Sequence, residues 1–150
     1  MGYVSVIFIE TDGLNDAFVG DQAIASAAQY QAYIQERYDA RSADYGISNV
    51  QMVIVYPHLP QGGLGGGDPD YPNNSVGNSR LNALGHIRSG MAAFVADNPA
   101  HASGIDSNDP LRYPVNSSNG DWVHWNKTGY ENLGIDLHGL LPFSTPVIPT

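Results

Sequence analysis

The sequence predicts an α/β fold built on a parallel β-sheet. Two short apolar runs, Val4–Ile9 and Val50–Tyr56, are rich in β-branched residues and lack polar alternation, the pattern of strands covered on both faces. Between them lies a segment with apolar residues at helical spacing. Strand, helix and strand in that order form a βαβ unit, whose crossover is expected to be right-handed.

Each element follows from local chemistry. Val4–Ile9 leads into the polar turn Thr11–Asp16. Asp21 is the expected N-cap of a helix reaching about Ser42, with Ile24, Ala27, Ala28, Ile34 and Tyr38 on one face and Gln22, Gln29, Glu36 and Arg37 on the other. Gly46 breaks that pattern ahead of the second strand. From Pro57 to Gly77 the chain reads as a loop centred on the glycine-rich stretch from Gln61 to Gly67. It lacks the Gly-Lys-Ser/Thr ending of a phosphate-binding loop and is expected to form a lid or rim. Ser79 is the expected cap of a second helix ending near Asp97, with Leu81, Leu84, Ile87, Met91, Phe94 and Val95 on one face. A short strand is expected near His101–Ile105 within an otherwise irregular stretch. Asn126 then opens a last helix through Tyr130, Leu133, Leu137 and Leu141, which Pro142 stops. Residues 1–142 are expected to form one domain and 143–150 an extended tail.

Composition narrows the function classes. The chain has 150 residues, a hydrophobic content of 42% and a charged content of 14%, with 17 glycines and 10 prolines, which suits a compact core carrying turn-rich loops. Its net charge is −9, and its six basic residues do not cluster, so nucleic acid and anionic membrane surfaces are not expected partners. There are no cysteines for disulfides or thiolate metal sites. No apolar run approaches the roughly 18 residues of a membrane span, and no secretion signal is read at the start. A soluble protein is expected, with an extracellular or virion assembly as one setting.

Two segments can carry chemistry. Gly13-Leu-Asn-Asp16 follows the first strand, where parallel sheets bind ligands beyond the carboxyl ends of their strands. Asn15 offers an amide N–H suited to an oxyanion, or it closes a local turn. In Gly120-Asp-Trp-Val-His-Trp-Asn126, Asp121 stands three positions before His124, just ahead of a helix. A carboxylate at that spacing can orient an imidazole and support its charge, or the histidine is simply hydrogen-bonded in a connecting loop. Trp122 and Trp125 can wall a site or stack on a sugar. His58, beyond the second strand, is expected on a surface loop, with pocket lining as the alternative. Neither His86 and His101 nor the Asp121/His124 pair has partners at metal-ligand spacing, so no metal and no cofactor are expected.

Taken together, Gly-x-Asn-Asp after a strand and Asp-x-x-His before a terminal helix resemble the SGNH (GDSL-type) hydrolase superfamily. The segments at Arg80-Leu81, Gly90-Met-Ala-Ala93 and Asp121–Asn126 leading to Gly129-Tyr130 are most similar to its carbohydrate (sialate-type) O-acetylesterase branch. The resemblance spans about residues 4–141. It implies a three-layer, flavodoxin-like fold that lacks the family's first strand and nucleophile turn. It also implies that Asn15 donates to the oxyanion, that His124 is base and then acid, that Asp121 orients His124, and that Gly13 permits the turn.

The family's nucleophilic serine sits in a turn well upstream of Gly-x-Asn-Asp, and this chain has no such block before Gly13. Ser79 is explained by capping a helix and Ser5 by a place within a strand. The serine is therefore expected from another chain or from an N-terminal segment outside this sequence, completing an esterase for O-acetylated carbohydrate. The alternative is a non-catalytic structural or carbohydrate-binding module, such as a decoration or fibre component of a virus particle. Either way, another chain or copy is expected to cover the exposed sheet edge.

Overall fold

The computed structural model of the chain describes residues 6–11, 17, 24–45, 50–61, 71–115 and 124–141. Its elements are β1 (Val6–Glu10), α1 (Ala27–Tyr45), β2 (Val50–Tyr56), α2 (Ser75–Asp97), β3 (Ala102–Asp106) and α3 (Lys127–Leu140). The three strands run parallel in the order β1-β2-β3, with Ile7 opposite Gln51 and Val55 opposite Ile105. The expected α/β class with a parallel sheet is what the structure has.

Alternation along β2 builds two cores, one on each face of the sheet. Met52 and Ile54 meet Tyr30 and Ile34 of α1 and Leu84, Ile87, Met91 and Phe94 of α2. Val53 and Val55, joined by Ile105, meet Leu133 of α3 and Tyr113 from the segment after β3. A fully buried aliphatic side chain contributes about 1.5–3 kcal/mol, so β2, nearly all of it buried, anchors both layers. Two crossovers of the same hand, taken in the same direction along the sheet, leave α1 and α2 side by side on one face. They approach closely at Gly90, where an added Cβ would stand 2.6 Å from the Ala27 carbonyl oxygen and 2.9 Å from Tyr30 Cβ. The sheet is thus covered by α1 and α2 on one side and by α3 on the other.

Several boundaries differ from expectation. The first helix begins at Ala27 rather than after Asp21, which lies outside the described residues. Ser26 Oγ accepts from the Gln29 amide at 3.2 Å while Gln29 Oε1 accepts from the Ala25 amide at 2.8 Å, a variant of the reciprocal capping box. Ile24 consequently packs on the core from ahead of the helix. The second helix begins at Ser75, because Asn74 Oδ1 accepts from the amides of Val76 at 2.9 Å and Gly77 at 3.2 Å. Ser79 therefore lies inside α2 and caps nothing. β3 runs one residue later than expected, from Ala102 to Asp106, and β1 extends to Glu10, while residues 4 and 5 lie outside the described residues. The last helix agrees with expectation, Asn126 Oδ1 accepting from the Gly129 amide at 3.1 Å. Most of the glycine-rich loop, from 62 to 70, and the tail from 142 onward also lie outside the described residues.

β1 is an edge of the sheet among the described residues. Its Phe8 packs on the α1/α2 core and its Ile7 on the α3 core, but Ile9 is 47% exposed. Glu10, at the carboxyl end of β1, is buried and forms ion pairs through Oε2 with Arg37 at 3.0 Å and Arg41 at 3.2 Å, both from α1. Arg41 also lies over the Phe8 ring, 4.5 Å from its centroid. No helix among the described residues is long and apolar enough to cross a membrane.

Candidate functional site

Ligands of open parallel sheets bind beyond the carboxyl ends of the strands. In this protein that edge is formed by Glu10, Tyr56 and Asp106 and the segments that follow them. Asn15, Gly13, Asp121 and Trp122 all lie outside the described residues, so of the sequence-predicted set the structure describes His124, Trp125 and His58.

His124 is exposed and stands three residues before α3. The next residue, Trp125, is held from several sides. Its indole lies 5.7 Å from the His58 ring, 6.4 Å from Tyr113 and 5.5 Å edge-on from Tyr130. It also forms an isolated antiparallel bridge with Val115. Gly129 allows this closeness, since a Cβ there would stand 2.7 Å from the Pro114 carbonyl oxygen and 2.8 Å from Trp125 Cβ. That carbonyl accepts from the Asn126 amide at 2.9 Å. Trp125 Nε1 is buried and, among the described residues, has no hydrogen-bond partner.

His58 corrects the sequence-based expectation of a surface-loop histidine. Its exposure is 2%, because the segment after β2 turns inward over the sheet edge instead of out into solvent. Its Nδ1 lies 2.8 Å from the Leu59 carbonyl oxygen; a carbonyl only accepts, so Nδ1 carries the proton. His58 and Trp125, expected as pocket residues, are brought together. The exposed His124 directly precedes Trp125 in the chain.

The sequence reading missed the residues that stitch this edge. Ser107 Oγ donates to the Tyr56 carbonyl at 2.6 Å, and Asn108 Oδ1 accepts from the Leu59 amide at 2.9 Å. The side chain of Gln61 donates to the Tyr113 carbonyl at 2.8 Å and accepts from the Val115 amide at 3.3 Å. Placing the end of β3 at Asp106 would have revealed Ser107 as a polar residue at the strand's carboxyl end. As a nucleophile it is unsuited. It is fully buried and its hydroxyl proton is committed to a backbone carbonyl. Ser79, in the second turn of α2, is likewise remote from a strand end.

Two charged groupings flank the edge. Arg88 pairs with Asp106 at 2.8 Å and also donates to the Pro57 carbonyl. Burial, reinforced by the nearby Asp106 carboxylate and opposed by Arg88, pushes the Tyr56 phenol above its ordinary range. Farther along, Asp136 of α3 accepts from the Arg112 guanidinium, at 2.7 Å through Nε, and from the Tyr113 hydroxyl. The Arg112 hydrogen bonds hold the Asp136 carboxyl below its usual range, while burial, reinforced by the bond to Asp136, raises the Tyr113 phenol. Among the described residues no three His, Asp or Glu side chains are grouped to hold a metal ion. A shallow cleft of about 130 Å³ lies at the opposite edge of the sheet, lined by Gln51, Pro99, His101, Ser103 and Leu140 among others, away from this constellation.

Chemically, the arrangement offers an exposed imidazole at the ligand edge, next to an aromatic cluster whose base is rigidly stitched. Compared with known proteins, the chain matches no family model, no curated protein and no solved structure.

Proposed function

We propose that this chain is part of a serine ester hydrolase acting on O-acetylated carbohydrate, with the nucleophilic serine supplied by another chain or by an N-terminal segment outside this sequence. One observation carries the reading: His124 stands immediately ahead of α3, which returns over the opposite face of a parallel sheet ordered β1-β2-β3. Three consecutive parallel strands in chain order are compatible with the second half of a doubly wound sheet of order 2-1-3-4-5, the flavodoxin-like arrangement that SGNH hydrolases share. In that frame further strands, from another chain or segment, would stand beyond β1, the edge on which Ile9 is exposed.

The chemistry is acyl transfer. The incoming serine hydroxyl attacks the acetyl carbonyl carbon while His124 takes its proton and Asp121 supports the imidazolium. Asn15 donates an N–H to the oxyanion of the tetrahedral intermediate. Collapse breaks the bond to the sugar oxygen, and His124 returns its proton to that oxygen. A water, deprotonated by His124, then releases acetate and regenerates the serine.

A second reading is favoured by Ser107, the described serine that follows directly on a strand at the ligand edge, whose buried hydroxyl fastens two loops. On that reading the chain is a non-catalytic structural or carbohydrate-binding module of a larger assembly.

A fluorophosphonate probe applied to the protein in its native-source assembly separates the two. The expected result is a serine adduct on a co-purifying chain or an upstream segment, lost in the His124→Ala variant. A folded protein without any adduct would leave the binding module. An adduct on Ser79 or Ser107 would overturn the split site.

A further inference from the structure

We propose that His58 is a positioning residue for His124, acting through the Trp125 indole; the role given to His124 rests on the hydrolase reading above. A buried imidazole at a ligand edge is costly unless its polar atoms are satisfied, and His58 meets this by donating Nδ1–H to the Leu59 carbonyl. That bond sets the ring plane. The next amide, that of Leu59, is tied to Asn108 at 2.9 Å, so the His58 backbone is anchored to the segment after β3.

From this anchored position the ring meets Trp125 at 5.7 Å, tilted by 46°. Trp125 is adjacent to His124 in the chain, and its other neighbours, Tyr113 and Tyr130, lie at 6.4 Å and 5.5 Å. Gln61, three residues beyond His58, holds both Tyr113 and Val115, the residue bridged to Trp125. The segment after β2 therefore grips the Trp125 segment at two points, ring against ring and side-chain amide against backbone. His124 is exposed and adjoins that gripped segment, so its backbone placement is inherited from Trp125. A functional imidazole held to within fractions of an ångström needs such a supporting layer.

The test reads His124 itself, without needing activity. Ring-proton NMR, with His124→Gln to assign the signal, gives the His124 chemical shift in the full chain. His58→Leu keeps bulk but loses the ring, and the His124 ring-proton signal is expected to shift by more than its line width. His58→Phe keeps a ring against Trp125 and is expected to leave it near the parent value. Trp125→Phe, which leaves His58 in place, gives a second route if the His58 variants fail to fold, and it too is expected to move the signal. Folded His58→Leu or Trp125→Phe protein with His124 unmoved would overturn the proposal. A moved His124 signal in an assembly that takes up no fluorophosphonate would keep the coupling and discard the hydrolase reading, so the two failures are distinguishable.

Discussion

Glu10 shows how a single side chain ties an edge strand to its covering helix. Its carboxylate is removed from water but accepts from two guanidinium groups that remain about a quarter exposed. Because those arginines can turn to solvent, removing the charge costs less than breaking a fully buried pair. Glu10→Gln is expected to lower stability by about 1–2 kcal/mol, below the 3–5 kcal/mol of a fully buried pair. Urea unfolding with an unchanged slope would check this, and a variant as stable as the parent would mean the pair contributes nothing net. At the same scale, His58 and Ser107 illustrate what a sequence conceals. A lone histidine after a strand is ordinarily solvated, and only the inward turn of its segment makes it a buried neighbour of Trp125.

Helix-to-helix distance is decided at one of two glycines of α2 that look alike in the sequence, Gly90 and not Gly85. A Cβ at Gly85 would meet nothing within 4 Å, whereas one at Gly90 would collide with the backbone of α1. Alanine is favoured over glycine in a helix interior by about 1 kcal/mol, so Gly85→Ala is expected to raise stability by up to that amount. At Gly90 the same gain is outweighed by overpacking, which costs about 1–3 kcal/mol, and Gly90→Ala is expected to be neutral to destabilising, with Gly90→Val clearly worse. Thermal unfolding of the three variants measures the contrast, and equal effects at both positions would refute the close approach. Helix starts belong to this scale as well. Asn74 and Ser26, rather than Ser79 and Asp21, begin their helices because a cap is chosen by which side chain reaches free amides.

Across the whole molecule, α3 is fastened to the segment after β3 by Asp136, Arg112 and Tyr113, with Asn132 donating to the Arg112 carbonyl at 2.6 Å. The folded-state Asp136 carboxyl is held below the ordinary carboxylate range, chiefly by the Arg112 hydrogen bonds, so the folded protein gives up that proton more readily than the unfolded chain. Its contribution is therefore present above about pH 4 and is lost as the pH falls through the lowered folded value. Asp136→Asn is expected to flatten the fall in melting temperature on acidification, while lowering stability at neutral pH. The pair is open to water, so the effect is modest. Tyr113, raised in the folded state, acts at the other end: its contribution is complete below about pH 10 and lost as pH rises beyond it. Melting curves from pH 3 to 7 on both proteins check the acid limb, and identical slopes would show that Asp136 is not a linked group.

The sequence by itself determined the α/β class, all three strands to within one or two residues, and the last helix with its Asn126 cap. These depend on local signals: a run of β-branched residues, an apolar stripe, a side chain within reach of its own backbone. It also singled out His124 and Trp125, because a histidine between two tryptophans ahead of a helix is chemically conspicuous. Only the tertiary structure decided which side of the sheet each helix covers, that Tyr30 rather than Ala28 fills the core under α1, and that His58 is buried against Trp125. Those facts rest on contacts between segments far apart in the chain, as when Gly90 meets Ala27 or Ser107 meets Tyr56. Spacing along one segment carries no information about a partner that only folding brings near.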